Sequence, residues 1–256
     1  MLTTDFVPGT PIWLDLAVRD LPAAGTFYGG LFGWDLEITG PETGGYGILR
    51  SHGKSVAALA PLTDGSEPAW TLYFATTDAD ATTKAVRDAG GTVLFEPMDV
   101  MTMGRMAVFA DPAGAGFAIW QPGDNPGLEV VQDNAALCWT ELYTPDRDGA
   151  AAFYHVVLGW DYQDESTPEG VYSLAYPSGD PALMHAGLMG VAEQNPALWQ
   201  PYIGVEDCDA STATAVGLGA TTLMEPQDIP DVGRIAMFAD PFGARFAIIK
   251  GLLPEQ

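Results

Sequence analysis

Hydrophobic and polar residues alternate along several short segments of the chain. The first, PIWLDLAV at 11–18, is typical of a strand. Asp20 and Pro22 follow as helix-start signals, and the next residues, AAGTFYGGLFG, place aromatic and aliphatic side chains on one helical face. Three short segments follow, WDLEIT, YGILRS and SVAALAP, which read as strands separated by Gly-rich turns. The pattern therefore predicts one β-α-β-β-β unit.

The same order of elements follows directly. WTLYFAT reads as a strand, and DADATTKAVRDAG reads as a helix that ends at Gly90 and Gly91. The segments TVLFEP, GRMAVFAD and GFAIWQ read as strands. Two such units make up the first half of the chain.

The second half of the chain repeats the first. Residues 13–34 match 139–160 without a gap, and residues 96–119 match 225–248 in the same way. Internal similarity of this kind indicates duplicated structural units. We therefore predict an α+β protein with two tandem domains, each a pair of β-α-β-β-β units.

The domain boundaries follow from the extent of the repeat. We place them at 8–122 and 135–251, with a linker at 123–134 that is rich in turn-forming and polar residues. The second copy is three residues longer between its two matched segments. We expect the extra length in a hairpin loop such as YPSGDP.

Composition narrows the class of protein. Nearly half of the 256 residues are hydrophobic, yet no stretch of about 18 apolar residues predicts a membrane span. The first residues lack the pattern of a signal peptide, and the two cysteines are isolated, so we expect a cytoplasmic protein. The formal net charge of −24 disfavours nucleic acid as a partner, because phosphate backbones would repel it.

The repeated residues resemble those of the vicinal oxygen chelate superfamily, which includes glyoxalase I, bleomycin-resistance proteins and extradiol dioxygenases. The resemblance rests on the strand–Asp–helix–Phe–Tyr–Gly–Trp run (13–34 and 139–160) and on the ADP-x-GA hairpin (110–115 and 239–244). It covers nearly the whole chain and implies curved mixed sheets with open cups. The start GTPIWLDL and the ending DPAGAGFAIWQP look more narrowly like the tandem-domain actinobacterial glyoxalase-like or "hydroxylase" accessory proteins.

The resemblance also implies where a metal would bind. Metal-dependent members use a His, Gln or similar residue from each opening strand and a Glu from each closing strand. The opening-strand positions hold tryptophan here, and the closing-strand positions hold alanine or glycine. The positions are Trp13, Trp70, Trp139, Trp199, Ala118 and Ala247, with Ala58 and Gly187 in a less definite register. Indole and methyl groups offer no lone pair to a metal, so we expect no metal and no cofactor.

Aromatic side chains would then line the cups, with a carboxylate near each centre. Strand alternation places Trp13 with Asp15, and Trp139 with Glu141 and Tyr143. It also places Trp70 with Phe74, and Trp120 with Ala118. Such walls suit a flat aromatic ligand, although tryptophans of duplicated domains are also ordinary core residues. For Trp34 and Trp160 we expect core positions with a partner for each indole N–H.

Arg105 and Arg234 recur at the start of equivalent strands. They are candidates for binding an acidic or keto oxygen of a ligand. The alternative, which we favour slightly, is structural pairing with Asp99 or Glu96, and with Asp228 or Glu225.

Four functions remain open, in decreasing order of preference. The first is a metal-free protein that binds a flat aromatic compound, in resistance or sequestration or as a pathway accessory beside a partner enzyme. The second is a metal-free natural-product enzyme that uses Asp15 or Glu141 for proton transfer. The third is a metal-dependent lyase or dioxygenase, and the fourth is a scaffold protein whose cups are filled by its own side chains.

The way in which the halves combine is a separate prediction. We expect a monomer whose two domains pair as an internal pseudo-dimer. One cup would combine 12–64 with 199–251, and the other would combine 137–190 with 70–122. The second cup is the more aromatic and is the predicted site. If each cup were built within one domain instead, Trp13, Trp70, Phe74 and Trp120 would lie together.

Overall fold

The computed structural model describes residues 2–40, 43–63, 65–167 and 170–251. Within these residues the chain forms four α-helices and sixteen strands, arranged in two eight-stranded mixed sheets. The predicted α+β class and the fourfold β-α-β-β-β order are confirmed. No helix among the described residues has the length and apolar character needed to cross a membrane.

The first repeat supplies one sheet. Its first unit consists of β1 (Pro11–Val18), α1 (Leu21–Phe32), β2 (Asp35–Ile38), β3 (Gly47–Ser51) and β4 (Lys54–Pro61). Its second unit consists of β5 (Ala69–Ala75), α2 (Ala79–Asp88), β6 (Thr92–Val100), β7 (Gly104–Ala110) and β8 (Gly116–Pro122). The strand order is β2-β3-β4-β1-β5-β8-β7-β6, in which β1–β4 and β5–β8 are parallel.

The second repeat supplies the other sheet in the same order. Its first unit consists of β9 (Leu137–Thr144), α3 (Arg147–Leu158), β10 (Trp160–Thr167), β11 (Gly170–Pro177) and β12 (Ala186–Gly190). Its second unit consists of β13 (Leu198–Gly204), α4 (Cys208–Gly217), β14 (Thr221–Ile229), β15 (Gly233–Ala239) and β16 (Arg245–Gly251). The three extra residues lie between β11 and β12, as predicted, where a short 3₁₀ turn at Pro181–Leu183 replaces the tight β3–β4 turn.

Each helix begins in the same way. An aspartate just before the first turn accepts a backbone N–H three residues later, which satisfies one of the free donors at the helix start. These residues are Asp20, Asp78, Asp146 and Asp207. The aspartates therefore fix the register between each opening strand and its helix.

The chain also divides into two compact units that cut across the repeats. One contains the segment up to Leu14, Thr71–Gly127 and Trp139–Gln200. The other contains Asp15–Trp70, Leu128–Cys138 and the segment from Pro201. Each unit thus combines a half of one repeat with a half of the other.

The predicted combination of halves is therefore present, but it builds cores and not sheets. In the first unit Phe117 of β8 lies edge-on to Phe153 of α3, with ring centroids 6.0 Å apart. In the second unit Phe27 of α1 lies edge-on to Phe246 of β16 at 6.2 Å. Each eight-stranded sheet, in contrast, comes from a single repeat. The prediction was that each cup would combine a half of one repeat with a half of the other; the halves so combined share a core, while each sheet keeps to one repeat.

The predicted linker is anchored by hydrogen bonds. Glu129 accepts the N–H of Ser55 at 2.7 Å in the second unit. Gly123 and Asn125 donate their N–H groups to the carbonyl of Met103 in the first unit, at 2.9 and 3.0 Å. The polar composition of 123–134 therefore does not mark a free tether.

Candidate functional site

Trp70 and Trp199 lie on the helix side of their sheets, contrary to the prediction. The indole of Trp70 donates to the hydroxyl of Tyr28 in α1 at 3.1 Å, and that of Trp199 donates to the hydroxyl of Tyr154 in α3 at 2.9 Å. Both tryptophans are buried. Phe74 also faces this side, because its ring meets Trp160 and Trp199 at 5.2 and 5.3 Å. The structure gives these three rings a place in the cores.

The prediction failed by one residue. Trp13 and Trp139 lie seven positions before the helix-capping aspartates Asp20 and Asp146. The same count from Asp78 and Asp207 gives Thr71 and Gln200, not their tryptophan neighbours. A shift of one residue along a strand moves a side chain to the other face. Thr71 and Gln200 are therefore the opening-strand positions of the second units.

A group of hydrogen-bonded side chains lies on β9 and β11 in the first compact unit. The indole of Trp139 donates to the hydroxyl of Tyr172 at 3.0 Å, and this hydroxyl donates to a carboxylate oxygen of Glu141 at 3.3 Å. Along β9 the neighbours Thr140 and Leu142 are fully buried, whereas Trp139 and Tyr143 keep some exposure. Trp139, Glu141 and Tyr143 thus share the more open face of the strand, as predicted.

The hydroxyl of Tyr172 occupies the space in front of Gly187. A Cβ on Gly187 would lie 1.9 Å from that oxygen, so any larger residue there would displace the tyrosine hydroxyl. Gly187 pairs with Glu141 across β12 and β9, so the tyrosine covers the middle of this face. Burial and the nearby Glu141 charge raise the pKa of Tyr172 well above its ordinary value, so it stays a neutral donor.

The first repeat carries a related pair in the second compact unit. Tyr46 donates to Asp15 at 3.0 Å, and Asp15 lies opposite Ala58 across β1 and β4. Asp15 is 4 % exposed, close to the 7 % of Glu141. Both repeats therefore hold a buried carboxylate that accepts a tyrosine hydroxyl.

Gln200 is a buried polar residue of β13 in the first unit. Its side chain is fully buried, and neither its amide nitrogen nor its amide oxygen has a hydrogen-bond partner among the residues the structure describes. Trp199 points to α3, so Gln200, the next residue of β13, faces the other side of the sheet. β13 is the direct neighbour of β9 in that sheet.

Trp120 remains a candidate, but it is held in place. Its indole donates to the carbonyl of Asn125 at 3.0 Å, and its ring covers Gly104, where a Cβ would meet it at 2.4 Å. Trp120 of β8 pairs with Met106 of β7 and with Ala75 of β5. Its side chain lies on the face of the sheet opposite to that of Phe117. Its exposed fraction is 7 %.

Arg105 and Arg234 form ion pairs at equivalent places. Arg105 lies 2.9 Å from Asp99 and 3.0 Å from Asp80. Arg234 contacts Asp209 at 2.8 Å and Asp228 at 3.1 Å. The expected pairing with Asp99 and Asp228 is present, and the second partner comes from the first turn of the preceding helix, α2 or α4. Both guanidinium groups are therefore paired with aspartates of the protein, which is the alternative that the sequence analysis favoured over ligand binding.

Comparison with known proteins agrees with the architecture. Residues 11–119 match the Glyoxalase/Bleomycin resistance protein/Dioxygenase superfamily, and residues 139–249 match a glyoxalase-like domain. The chain is 42 % identical to the anthracycline biosynthesis protein DnrV of Streptomyces peucetius, over 96 % of this chain and 95 % of that protein. The chain belongs to the glyoxalase/bleomycin resistance/dioxygenase superfamily.

Other similar proteins carry several activities in their names. A putative glyoxylase of Mycobacterium bovis is 36 % identical over 99 % of this chain and 98 % of its own length. Among solved structures, 2,2',3-trihydroxybiphenyl 1,2-dioxygenase of Sphingomonas wittichii superposes with a TM-score of 0.66 at 18 % identity, covering 96 % of this chain and 91 % of that chain. The Mn(II)-bound glyoxalase of Novosphingobium aromaticivorans gives 0.65 at 15 %, covering 96 % and 84 %. At such identities the superposition shows the fold alone.

The metal of the superfamily does not fit the residues present in the second repeat. Trp139 and Gly187 have no side-chain atom with a lone pair that could bind a metal. The hydroxyl of Tyr172 occupies the space that a carboxylate at position 187 would need. Gln200 alone supplies an oxygen of the right kind at these positions. No group of three or more His, Cys, Asp or Glu side chains able to hold a metal occurs in the described part of the chain.

Sequence reasoning missed two residues of this site, and the sequence held a signal for each. Tyr172 and Tyr46 occupy equivalent places 126 residues apart, the same offset that separates Glu141 from Asp15 and Trp139 from Trp13. Gln200 follows from counting back from Asp207. The sequence could not show that the Tyr172 hydroxyl bonds both the Trp139 indole and the Glu141 carboxylate. Tyr172 lies on β11 and the other two residues on β9, so the contact depends on how these strands come together.

Proposed function

We propose that this protein binds a flat aromatic small molecule without a metal and serves as an accessory protein of a natural-product pathway, or sequesters such a compound. The observation that carries the proposal is the Tyr172 hydroxyl, which is fixed between Trp139 and Glu141 in the space before Gly187. This arrangement offers aromatic surface and hydrogen-bonding groups, which are the elements of a small-molecule site. The similarity to an anthracycline biosynthesis protein supports a polycyclic ligand.

The first test measures binding and metal content together. The dissociation constant of 1,4-dihydroxyanthraquinone is obtained from quenching of tryptophan emission, and metals are measured in protein purified without chelator. Trp139→Ala should weaken binding by about 1–3 kcal/mol, the range for a stacked aromatic platform. The variant should still unfold in one cooperative transition, at a lower temperature because the indole also donates to Tyr172.

Trp13→Ala is the matched control at the equivalent position of the first repeat, and it should bind as the wild type does. Near-stoichiometric zinc, nickel, manganese or iron would contradict a metal-free site. Equal affinity in all three proteins would contradict the role of Trp139.

A second function is favoured by one feature of the same site. Glu141 is a carboxylate with 7 % exposure that already accepts a hydroxyl proton donor, an arrangement suited to proton transfer. Asp15 with Tyr46 is the corresponding pair in the first repeat. If the protein is an enzyme of this kind, Glu141 should remove a C–H proton from the carbon beside the carbonyl of a bound aromatic ketone such as 1-tetralone and return a deuteron taken from the buffer. Glu141→Gln should lower the rate of this exchange at least tenfold, while Asp15→Asn should not. Mass spectrometry in deuterated buffer measures this rate.

A further inference from the structure

Among the described residues, Arg105, Tyr162 and His185 each have one buried side-chain atom without a hydrogen-bond partner, whereas both polar atoms of Gln200 lack one. Thr140 donates to the carbonyl of His185 at 3.0 Å, and Asp111 accepts two backbone N–H groups and a tyrosine hydroxyl. Gln200, in contrast, has a primary amide with a donor and an acceptor and no partner for either among the described residues. A buried polar group left without a hydrogen bond destabilises a protein. Such a residue indicates that something outside the chain provides the partners.

The position of Gln200 connects it to the proposed ligand site. It belongs to the same compact unit as Trp139, Glu141 and Tyr172, on the strand beside β9. The opposite face of its strand is filled by the contact between Trp199 and Tyr154. The amide therefore faces the side of the sheet away from α3, where it is fully buried.

The first repeat lacks this feature. Thr71 occupies the equivalent position, so no primary amide stands there. The difference between Thr71 and Gln200 makes the two repeats chemically unequal at matched positions. A ligand that uses the amide has only the second repeat available to it.

We propose that Gln200 is the specificity-determining contact of the site and recognises a fused-ring ligand whose edge carries a carbonyl oxygen beside an N–H or O–H donor. The amide nitrogen of Gln200 donates to the carbonyl, and its amide oxygen accepts from the neighbouring donor. A primary amide and such an edge are complementary in both bonds. This inference rests on the proposed function and adds the hydrogen-bonding pattern of the ligand.

Discrimination follows from burial. A ligand without the donor leaves the buried amide oxygen of Gln200 unpaired, and a site built on hydrogen bonds rejects such analogues strongly. Trp139 supplies surface that any flat ring can use. Ring stacking therefore contributes affinity, and Gln200 selects among flat rings.

The test uses two probes that differ by one methyl group. Phenanthridin-6(5H)-one presents a lactam edge with C=O beside N–H, whereas its N-methyl derivative keeps the flat tricycle and the carbonyl but lacks the donor. Tryptophan quenching should give the lactam at least tenfold higher affinity for the wild type. Gln200→Met should reduce this ratio to about one, and Thr71→Val should leave it unchanged.

A thermal measurement without ligand completes the test. Because Gln200 has no hydrogen-bond partner to lose in the described part of the chain, Gln200→Met should melt at the wild-type temperature or above it. A ratio near one in the wild type, or a variant that melts several degrees lower and keeps the ratio, would overturn the inference. If neither probe binds the wild type, the proposed function itself fails, and that result is distinct from equal binding of both. The wild-type comparison needs no variant, so it stands even if Gln200→Met folds poorly.

Discussion

At the scale of single residues, His185 is a buried base that the core keeps neutral. It is fully buried, its Nδ1 lies 2.9 Å from the carbonyl oxygen of Leu183, and its ring meets Trp160 edge-on at 5.1 Å. Desolvation lowers the pKa of His185 from 6.5 to about 4. Protonation is therefore easier in the unfolded chain than in the folded one.

This difference gives stability a pH dependence of known sign. The contribution of His185 is fully present above about pH 6.5 and is lost as the pH falls toward 4, by about 3 kcal/mol in all. Urea unfolding of the wild type and of His185→Gln between pH 7.5 and 4 measures it. The wild type should lose more free energy of unfolding than the variant over that range. Asp111 and Asp240, whose pKa values burial raises, act in the opposite direction in both proteins. Parallel curves would contradict the prediction.

The positions of single residues were predictable where a neighbouring helix end fixed their place in the sequence. Trp34 and Trp160 were expected in the core with a partner for the indole, and they donate to the carbonyls of Ala135 and Gly9, both at 2.8 Å. Trp70 and Trp199 were assigned to the wrong face, because along a strand an error of one residue inverts the face. Only the helix cap, not the neighbouring aromatic residue, gives the register reliably.

At the scale of elements, the repeated hairpin has a structural purpose that its sequence did not reveal. Asp111, in the turn between β7 and β8, accepts the hydroxyl of Tyr154 in α3 at 3.2 Å, and that hydroxyl accepts the indole N–H of Trp199 at 2.9 Å. Asp240, Tyr28 and Trp70 repeat the arrangement in the other unit. The ADP hairpin of one repeat thus holds the helix of the other.

Removing the hydroxyl should break each of these links. Tyr154→Phe leaves a carboxylate oxygen of Asp111 and the indole N–H of Trp199 buried without partners, which should cost about 2–4 kcal/mol of stability. Tyr28→Phe should cost a similar amount, since it repeats the geometry. Tyr176→Phe is the control, because the hydroxyl of the half-buried Tyr176 makes no hydrogen bond among the described residues. Chemical denaturation measures all three; a loss below 0.5 kcal/mol in the first two would show that the links add little.

The order of elements was predictable, and their partners were only partly so. Period-two and helical patterns with Gly and Asp boundaries are local, and they gave all four β-α-β-β-β units. Which half of which repeat shares a core depends on contacts such as Phe117 with Phe153, which lie far apart in sequence. The repeat suggested a cross-combination of halves, but not that it would form the cores while each sheet stayed within one repeat.

At the scale of the whole molecule, the two repeats should not fold independently. The fragments 1–127 and 128–256 divide the chain between its repeats, yet each compact unit draws on both. Fragment 1–127 alone loses the α3 rings against Phe117 and the Asp240 partner of Tyr28. Exposed apolar faces of this kind favour association or unfolding.

The intact chain already contains both halves of each core, so it should be a monomer of 27.1 kDa. Each fragment expressed alone should aggregate, or should dimerise with its own copy in place of the missing half. The two fragments expressed together should form a one-to-one complex with the mass and melting behaviour of the intact chain. Light scattering after size exclusion, with thermal unfolding of the same peaks, measures these states. A monomeric fragment that unfolds cooperatively by itself would show that the repeats, and not the crossed units, are the folding units of this protein.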